Sequence, residues 1–464
     1  MPGSIHSLRV QNLVTTSLAL LALLAGMAFI GASQSVQAAS HGVSPNRVSV
    51  HPQYIRAGNV PNAAPTFSCQ LPAAAVKCYG PQQIRNAYNI QPVLDSGITG
   101  KGRSIVIVDA FQSPTIRQDL HTFDTLFGIN DPTLNIIAPD GLTPFDPNDA
   151  NQVGWSGEIT LDVEWAHAVA PDATINLVLA KSNQDDDILS ATKYAIDHNL
   201  GDVISQSFGE GETCMDPKLL KKQHQIFFEA TLKGITLLAS AGDDGAAQPT
   251  CDGNSFFLSA SSPATDPFVT SVGGTQLHAD LSTGAYQSEN VWNEPNFEAA
   301  TGGGFSTIYR KPFYQLGTSG IQKFRGNPDV AYDAAINGGV LTVFTTGGQQ
   351  SVFIFGGTSA GSPQWAGIVA LGDQKAHHRL GFLNPAFYAL GHSNQYHTVF
   401  NDVTVGDNSF TSTDANDNPV TVQGYSASQG WDPSTGWGTP KVNNLLSVLA
   451  GKSFFSISDA SKLM

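Results

Sequence analysis

Ser104-Ile105-Val106-Ile107-Val108-Asp109 is a run of four β-branched apolar residues that ends in a carboxylate. Its length and composition predict a buried strand. Residues 174–179, 202–208 and 234–240 have the same character, and helical patterns separate them at 157–169, 186–198 and 217–232. Strands that alternate with helices predict an α/β fold, a doubly wound parallel sheet with helices on both faces. In such sheets the active site lies beyond the carboxyl ends of the strands.

Length and charge limit the classes of function. The chain has 464 residues, of which 41% are hydrophobic and 13% are charged. This is enough for one large core, and we expect one α/β domain at 77–455, followed by a loose tail at 456–464. The 38 acidic residues outnumber the 23 basic ones and give a formal charge of −15. A chain this acidic, without a run of Lys and Arg, is not expected to bind nucleic acid.

The first 38 residues have the pattern of a secretory signal peptide. Arg9 precedes an apolar run at 13–32, and small residues follow at the predicted cleavage point, Ala38 or Ala39. We therefore expect a secreted, extracellular protein without membrane attachment after cleavage. A retained membrane anchor is the alternative, because about twenty apolar residues can span a bilayer. Residues 39–76 are predicted to be a short leader or an ordered arm, and a monomer is the default expectation.

Four cysteines fit an exported chain. An even number in an oxidising compartment predicts two disulfides, for which three connectivities are possible. Neighbouring pairs are favoured, Cys69 with Cys78 and Cys214 with Cys251. A metal site is disfavoured because the sequence has no Cys-x-x-Cys spacing.

A candidate nucleophile lies in Phe355-Gly356-Gly357-Thr358-Ser359-Ala360-Gly361-Ser362-Pro363. A strand, a glycine turn and a helix start would place the Ser359 hydroxyl at a helix amino terminus, where developing negative charge is stabilised. Pro363 suits a first helical turn. The alternative is that Ser359 is only a helix N-cap.

Carboxylates take the place of the usual histidine base. The sequence has no His-Gly-Thr segment of the subtilisin kind, and His167 lacks flanking glycines. Glu158 and Asp162 are four residues apart, so on a helix they share one face and can share a proton. Asp243 follows the strand at 234–240 in a glycine-flanked turn. Each segment alone also has a structural explanation. The segment with Glu158 and Asp162 also fits a solvated acidic helix start, and the segment with Asp243 also fits an ordinary turn.

The ordered series Glu-x-x-x-Asp, Gly-Asp-x-Gly and Gly-Thr-Ser-Ala resembles the sedolisin family of serine-carboxyl peptidases. The resemblance extends over roughly residues 80–450 and includes the segments 260–263, 272–275, 302–306, 325–330 and 435–440. It implies a subtilisin-like fold and an endopeptidase that cleaves proteins or peptides. It also implies roles for four residues: Ser359 is the nucleophile, Glu158 its general base, Asp162 the residue that orients Glu158, and Asp243 a protonated member of the oxyanion hole.

The same roles imply an acidic optimum, roughly pH 3–5 on ordinary carboxyl pKa values, because Glu158 must ionise while Asp243 keeps its proton.

The resemblance further implies one structural Ca²⁺ ion in the segments Asn401-Asp402-Val403-Thr404 and Ser428-Gln429-Gly430-Trp431-Asp432. The two carboxylates, Asp402 and Asp432, and the carbonyls of Val403, Ser428 and Gly430 form an all-oxygen set suited to that ion.

One departure from the family keeps other interpretations open. Only about forty residues separate the predicted cleavage point from Cys78, where the likeness begins, whereas sedolisins usually carry a long propeptide. We expect folding without a prodomain, a separate chain acting as prodomain or inhibitor, or activation timed by secretion. The alternatives in function are a tripeptidyl exopeptidase, a non-catalytic binding protein on a peptidase scaffold, and a subtilisin-like protease that uses His167 or Asp109 at neutral pH.

Overall fold

The computed structural model describes residues 47–50, 52–61 and 66–451. The predicted signal peptide at 1–38 and the predicted tail at 456–464 lie outside these residues. The helices are α1 Pro81–Ala87, α2 Gln91–Asp95, α3 Ile116–Phe127, α4 Ala150–Val169, α5 Asp185–Asp197, α6 Pro217–Leu232, α7 Gly361–Ala376, α8 Asn384–Gly391, α9 Tyr396–Val399 and α10 Val442–Leu449. Short 3₁₀ turns are Ser68–Gln70, Pro295–Phe297, Phe313–Gln315 and Thr358–Ala360.

The strands are β1 Gln53–Asn59, β2 Cys78–Tyr79, β3 Ser104–Ala110, β4 Leu134–Ile137, β5 Thr174–Ala180, β6 Val203–Gln206, β7 Glu210–Gly211, β8 Thr236–Ser240, β9 Ala247–Pro249, β10 Phe256–Leu258, β11 Ser261–Ser262, β12 Thr270–Ala279, β13 Tyr286–Val291, β14 Asn293–Glu294, β15 Ala299–Ala300, β16 Gly304–Arg310, β17 Phe324–Asn327, β18 Val330–Asp333, β19 Gly339–Thr346, β20 Gln349–Gly356, β21 Phe400–Asn401, β22 Phe410–Thr413, β23 Pro419–Val422 and β24 Thr439–Pro440.

An eight-stranded sheet forms the centre of the fold, in the order β13-β12-β8-β6-β3-β5-β4, and β18 also pairs with β12. All of its pairings are parallel except that of β13 with β12. The strand at 104–110 alternates between two cores: Ile105 and Ile107 pack with α3, α4 and α7 on one face, and Val106 and Val108 pack with α5 and α6 on the other. This doubly wound, subtilisin-like arrangement confirms the predicted fold class.

A second sheet, in the order β1-β20-β19-β2, leads into the Ser359 turn. Its edge strand β1 runs antiparallel to β20, with Gln53 opposite Gly356 and Tyr54 opposite Phe355. Part of the predicted arm at 39–76 is therefore paired with the strand that precedes Ser359. The two disulfides join Cys69 with Cys78 and Cys214 with Cys251, as expected.

Two local predictions were wrong. The helix expected at 157–169 begins at Ala150, where the side chain of Asp149 caps it by accepting from the amides of Asn151 and Gln152. Every residue from Trp155 to Val169 is buried, because the sheet, α7 and β19 enclose the helix. Residues 402–430, where no strand was predicted, contain the hairpin β22–β23, whose Phe410 packs on Phe256. Within the described part of the chain, no helix is long and apolar enough to cross a membrane.

Candidate active site

Three neighbouring strands of the central sheet end at the same edge with polar residues. Asp109 lies near the end of β3, Ser207 directly follows β6, and Asp243 lies three residues beyond β8. Because parallel strands end on one side of the sheet, these side chains are brought together in space. Helices α4 and α7 pack against each other and bring Glu158 and Ser359 to the same edge.

Ser359 lies in the tight turn between β20 and α7. Gly357 has φ +111° and ψ 155°, and the 3₁₀ turn Thr358–Ala360 follows before α7 begins at Gly361. The alternative of Ser359 as an ordinary N-cap is not supported, because the N-cap of α7 is Ala360. Its hydroxyl lies 3.5 Å from the carbonyl oxygen of Ser207, and the residue keeps 7% of its surface exposed. The hydroxyl is thus held at the edge of the sheet and remains open to the cleft.

Glu158 and Asp162 lie one turn apart on α4 and are both completely buried. Burial raises the pKa of Glu158 well above its usual value, the charge of Asp162 raises it further, and the nearby Ser359 hydroxyl lowers it. Burial also raises the pKa of Asp162, as does the charge of Asp109, whereas the nearby Ser207 lowers it. The alternative of a solvated acidic helix start is therefore wrong. These carboxyls favour a shared proton over two charges.

Asp109 is a third member of the buried carboxyl cluster. Burial raises its pKa well above the usual value, and the charge of Glu158 adds to the rise. The sequence presented Asp109 only as a candidate base for a different mechanism. Asp109 lies at the carboxyl end of a buried strand, and this position is the sequence feature that indicates a part in the cluster. Nothing local in the sequence indicated such a part for Ser207.

Asp243 is bound to the turn that carries the nucleophile. Its Oδ1 atom accepts hydrogen bonds from the Thr358 amide at 2.8 Å and from the Thr358 hydroxyl at 2.7 Å. Its Oδ2 atom lies over Gly357, where an added Cβ would come within 2.6 Å of it. The segment that begins at Gly302 closes the other side, because an added Cβ there would meet the Ala241 carbonyl oxygen at 2.0 Å. The glycines thus let backbone and carboxyl approach closely beside Ser359.

His167 belongs to the core and not to this cluster. It lies on α4 beyond Asp162, is completely buried, and its Nε2 atom is 3.1 Å from Oδ1 of Asp124. The structure therefore brings together Ser359, Glu158, Asp162 and Asp243, adds Asp109, and separates His167 from them.

The residues predicted to bind calcium come from two loops that meet. The amide of Gly430 donates to both carboxylate oxygens of Asp402 at 3.2 Å, and the amide of Ser428 donates to Oδ2 of Asp432 at 3.2 Å. Burial raises the pKa of Asp432 to about 6, although the amides of Ser434 and Thr435 also bind it. Two carboxylates that meet at the backbone of one short loop supply oxygen donors, the ligand type that Ca²⁺ prefers. Val403 lies next to Asp402 in the chain and is buried.

The subtilase family model matches residues 148–430. Kumamolisin of Bacillus sp. (strain MN-32) is 32% identical over 395 residues, which cover 82% of this chain and 66% of kumamolisin. Tripeptidyl-peptidase 1 of Homo sapiens is 30% identical over 271 residues, which cover 53% of this chain and 43% of the relative. This chain therefore spans just under two thirds of the length of kumamolisin and less than half that of the tripeptidyl-peptidase.

A solved structure of Pseudomonas sedolisin, described as a serine-carboxyl proteinase complexed with two molecules of pseudo-iodotyrostatin, matches with a TM-score of 0.70 at 28% identity. The match covers 82% of this chain and 100% of that chain. The likeness therefore extends over most of this chain and over the whole of the solved one.

Proposed function

Because this chain belongs to the sedolisin group of the subtilase family, we propose that it is a serine-carboxyl endopeptidase that acts on proteins or peptides in acid, outside the cell. The observation that carries the proposal is the buried cluster of Glu158, Asp162 and Asp109 beside the Ser359 hydroxyl. A cluster of carboxyls at this place supplies a base where a histidine is absent.

In the proposed first step, the Oγ atom of Ser359 attacks the carbonyl carbon of the scissile bond, and its proton passes to Glu158 in molecules whose carboxyl cluster has released one proton. The C–N bond then breaks, and the leaving amine takes that proton from Glu158. Water then attacks the acyl carbon and gives a proton to Glu158. The bond from that carbon to the Ser359 Oγ atom breaks, Oγ takes the proton back from Glu158, and the acid is released. Asp162 orients Glu158 and shares its proton, which is the role of the third residue in other triads.

Asp243 is proposed to stabilise the tetrahedral intermediate. Its Oδ1 atom accepts hydrogen bonds from Thr358, and a proton on the carboxyl group would donate toward the oxyanion, together with the backbone amide of Ser359. A carboxyl donates only while it is protonated, so this step needs acid. Removing one donor from an oxyanion hole typically lowers kcat by about 10²–10³-fold.

Buried carboxyls outside the candidate active site support the proposal that the protein works in acid. Burial raises the pKa of many carboxyls outside the site, including those of Glu164, Asp185, Glu210, Glu289, Asp333 and Asp373. Each stabilises the fold fully below its unfolded pKa and loses that contribution as pH rises toward its folded pKa. A fold with so many such groups is most stable in acid.

A structural calcium ion is part of the proposal. Asp402 and Asp432, with the carbonyls of Val403, Ser428 and Gly430, would hold it, and the positive charge would stabilise the carboxylate of Asp432, which burial otherwise disfavours. The segments 401–404 and 428–432 lie well after Ser359 in the chain, and we propose no part for them in the chemistry.

The test is cleavage of an acid-denatured protein across pH 2 to 8 by the full chain. Ser359→Ala should abolish activity, and Ser362→Ala is the matched control, because Ser362 lies on α7 and pairs with Ser205 instead. Mass spectrometry of the products distinguishes internal fragments, as proposed, from released tripeptides. A folded chain that binds peptides and never cleaves them would favour the binding-protein alternative.

A further inference from the structure

A second pair of buried carboxyls lies outside the candidate active site. Asp185 is the first residue of α5 and is 2% exposed, and Glu210 is the first residue of β7 and is 4% exposed. All four of their carboxyl oxygens are buried, and within the described residues none of them accepts a hydrogen bond from any group other than the partner carboxyl. Two such carboxyls satisfy each other only when they share a proton. Asp185 and Glu210 are therefore a proton-sharing pair, here called the outer pair.

The surroundings of the outer pair favour its protonated form. Burial raises the pKa of Asp185 to about 6, and the negative charges of Asp186 and Asp216 add to the rise. Arg47 and the basic residues of α6 do not line the small cavity around the pair, and Lys222 lies 4.0 Å from Asp186 instead. The cavity as the structure describes it therefore contains no positive charge that would balance two ionised carboxyls.

Residues 207–210 connect the outer pair to the candidate active site. Residues 207–209 line the same cavity as Ser359, and the Ser207 carbonyl oxygen lies 3.5 Å from the Ser359 hydroxyl. Phe208 also lines the cavity around the outer pair, so it is common to the two cavities. Because these residues are consecutive, a movement of Glu210 away from α5 also moves the wall that faces Ser359.

We infer that Asp185 and Glu210 are positioning residues, whose shared proton holds residues 207–210 against α5 and thereby keeps the wall of the cleft in place for substrate. The inference deepens the proposed function and rests on it, because the cleft is that of the proposed peptidase. The cavity around the pair offers about 10 Å³ to water, which is room for one molecule at most. Two ionised carboxyls cannot be solvated in that space, so the closed wall requires the proton. The need for acid then has a second origin, separate from Glu158 and Asp243.

Ionisation of Glu210 sets how strongly pH opens the wall. An exposed glutamate titrates near a pKa of about 4.3, whereas burial and the charge of Asp185 raise the pKa of Glu210 to about 9 in the closed state. Between these two values, each opened molecule releases one proton more than a closed one. The ratio of open to closed molecules therefore grows about tenfold per pH unit, or about 100-fold from pH 5 to pH 7. Glu210→Gln has no proton to release there and removes this dependence.

Hydrogen exchange in the full chain tests this opening without catalysis. In a Ser359→Ala background the chain cannot digest itself, and the reporter is the Glu212 amide, which donates to the Ala260 oxygen at 3.2 Å. Strand β7 is only two residues long, so we expect Glu210 to release this bond when it turns toward water. At pH 7 the Glu212 amide should be less protected than the amide of Ile107 in the central strand β3, which reports global unfolding.

Comparison of variants at equal pH isolates the contribution of the outer pair. The protection factor of the Glu212 amide in Glu210→Gln, divided by that in its parent, should rise about 100-fold from pH 5 to pH 7. Asp185→Asn should change this ratio in the same direction and serves as the second variant if Glu210→Gln does not fold. Glu229→Gln replaces a half-exposed glutamate on α6 and is the matched control, with the same ratio at both pH values. A ratio that does not change with pH in the pair variants, or a Glu212 amide as protected as that of Ile107, would overturn the inference.

The KM for a peptide substrate connects the outer pair to the cleft. Only molecules with the wall in place bind substrate, so the KM of wild type divided by that of Glu210→Gln should be larger at pH 7 than at pH 5, by up to about 100-fold. The same quotient for Glu229→Gln should be equal at both pH values. A quotient for Glu210→Gln that is also equal at both would overturn the inference. If no variant cleaves peptide while the protection of the Glu212 amide changes as expected, the proposed function fails and the proton-dependent opening stands.

Discussion

Replacement of Glu210 by glutamine should make the fold less sensitive to pH. Glu210 is 4% exposed and lies beside Asp185, which is 2% exposed. Burial raises the pKa of Glu210 to about 9, and the charge of Asp185 adds to the rise. A raised folded pKa means that the folded state holds a proton that the unfolded chain releases. The stability from Glu210 is therefore complete below its unfolded pKa and falls as pH rises toward about 9.

The size of the effect follows from the interval between the unfolded and the folded pKa of Glu210. An unfolded glutamate titrates near pH 4.3, and each pH unit between the two pKa values costs about 1.4 kcal/mol. From pH 4 to pH 7 the wild-type chain therefore loses about 3–4 kcal/mol of unfolding free energy through this residue alone. Glutamine keeps the shape and has no proton to lose. Between pH 4 and pH 7, the unfolding free energy of Glu210→Gln should therefore rise by about 3–4 kcal/mol relative to that of wild type.

Urea denaturation at pH 4 and pH 7 measures this difference directly. Glu229→Gln is the matched control, because Glu229 is a half-exposed glutamate on α6. It should differ from wild type by the same small amount at both pH values. A Glu210→Gln difference that is equal at pH 4 and pH 7 would refute the argument that burial of carboxyls adapts this fold to acid.

Three further changes test the site and its surroundings. Gly357→Ala should lower kcat by about 100-fold and also lower the stability of the fold, because alanine is strained at φ +111° and its Cβ would meet the Asp243 carboxyl at 2.6 Å and displace an oxyanion donor; unchanged kcat would exclude Asp243 from that role. Asp109→Asn removes a charge that raises the pKa of Asp162, so the acid limb of the pH–rate profile should move to lower pH, and a limb that stays in place would contradict the shared cluster. Chelation of calcium should lower the unfolding free energy by about 3 kcal/mol where the ion was about 100-fold above its Kd, and Asp432→Asn should remove this response.

The sheet could be predicted closely because its strands are short runs of β-branched residues. The strand predicted at 104–109 is Ser104–Ala110 in the structure, and that predicted at 174–179 is Thr174–Ala180. The start of α4 was missed because residues 150–156 are polar and glycine-containing and show no apolar period, so the cap at Asp149 went unrecognised. The hairpin β22–β23 was missed because its exposed face is polar and its turn is rich in Asp and Asn.

The site could be predicted where chemistry follows local motifs. Ser359, Glu158 and Asp162 lie in segments whose spacing already suggested their use. The contribution of Asp109 depends on which strands are neighbours in the sheet. The course of residues 47–50 depends on the pairing of Ser49 with Gly209, which lies 160 positions further along the chain. A single sequence contains no local signal for contacts at that separation.

The most direct test of the carboxyl base is the pH dependence of kcat/KM for Glu158→Gln. Glu164→Gln is the matched control, since Glu164 is buried on the same helix and accepts a hydrogen bond from the Val343 amide, which a glutamine oxygen can also accept. Glutamine at 158 cannot take the Ser359 proton, so we predict loss of activity by at least about 100-fold at every pH from 2 to 8, with the control near wild type. Activity at neutral pH that survives Glu158→Gln would contradict the account.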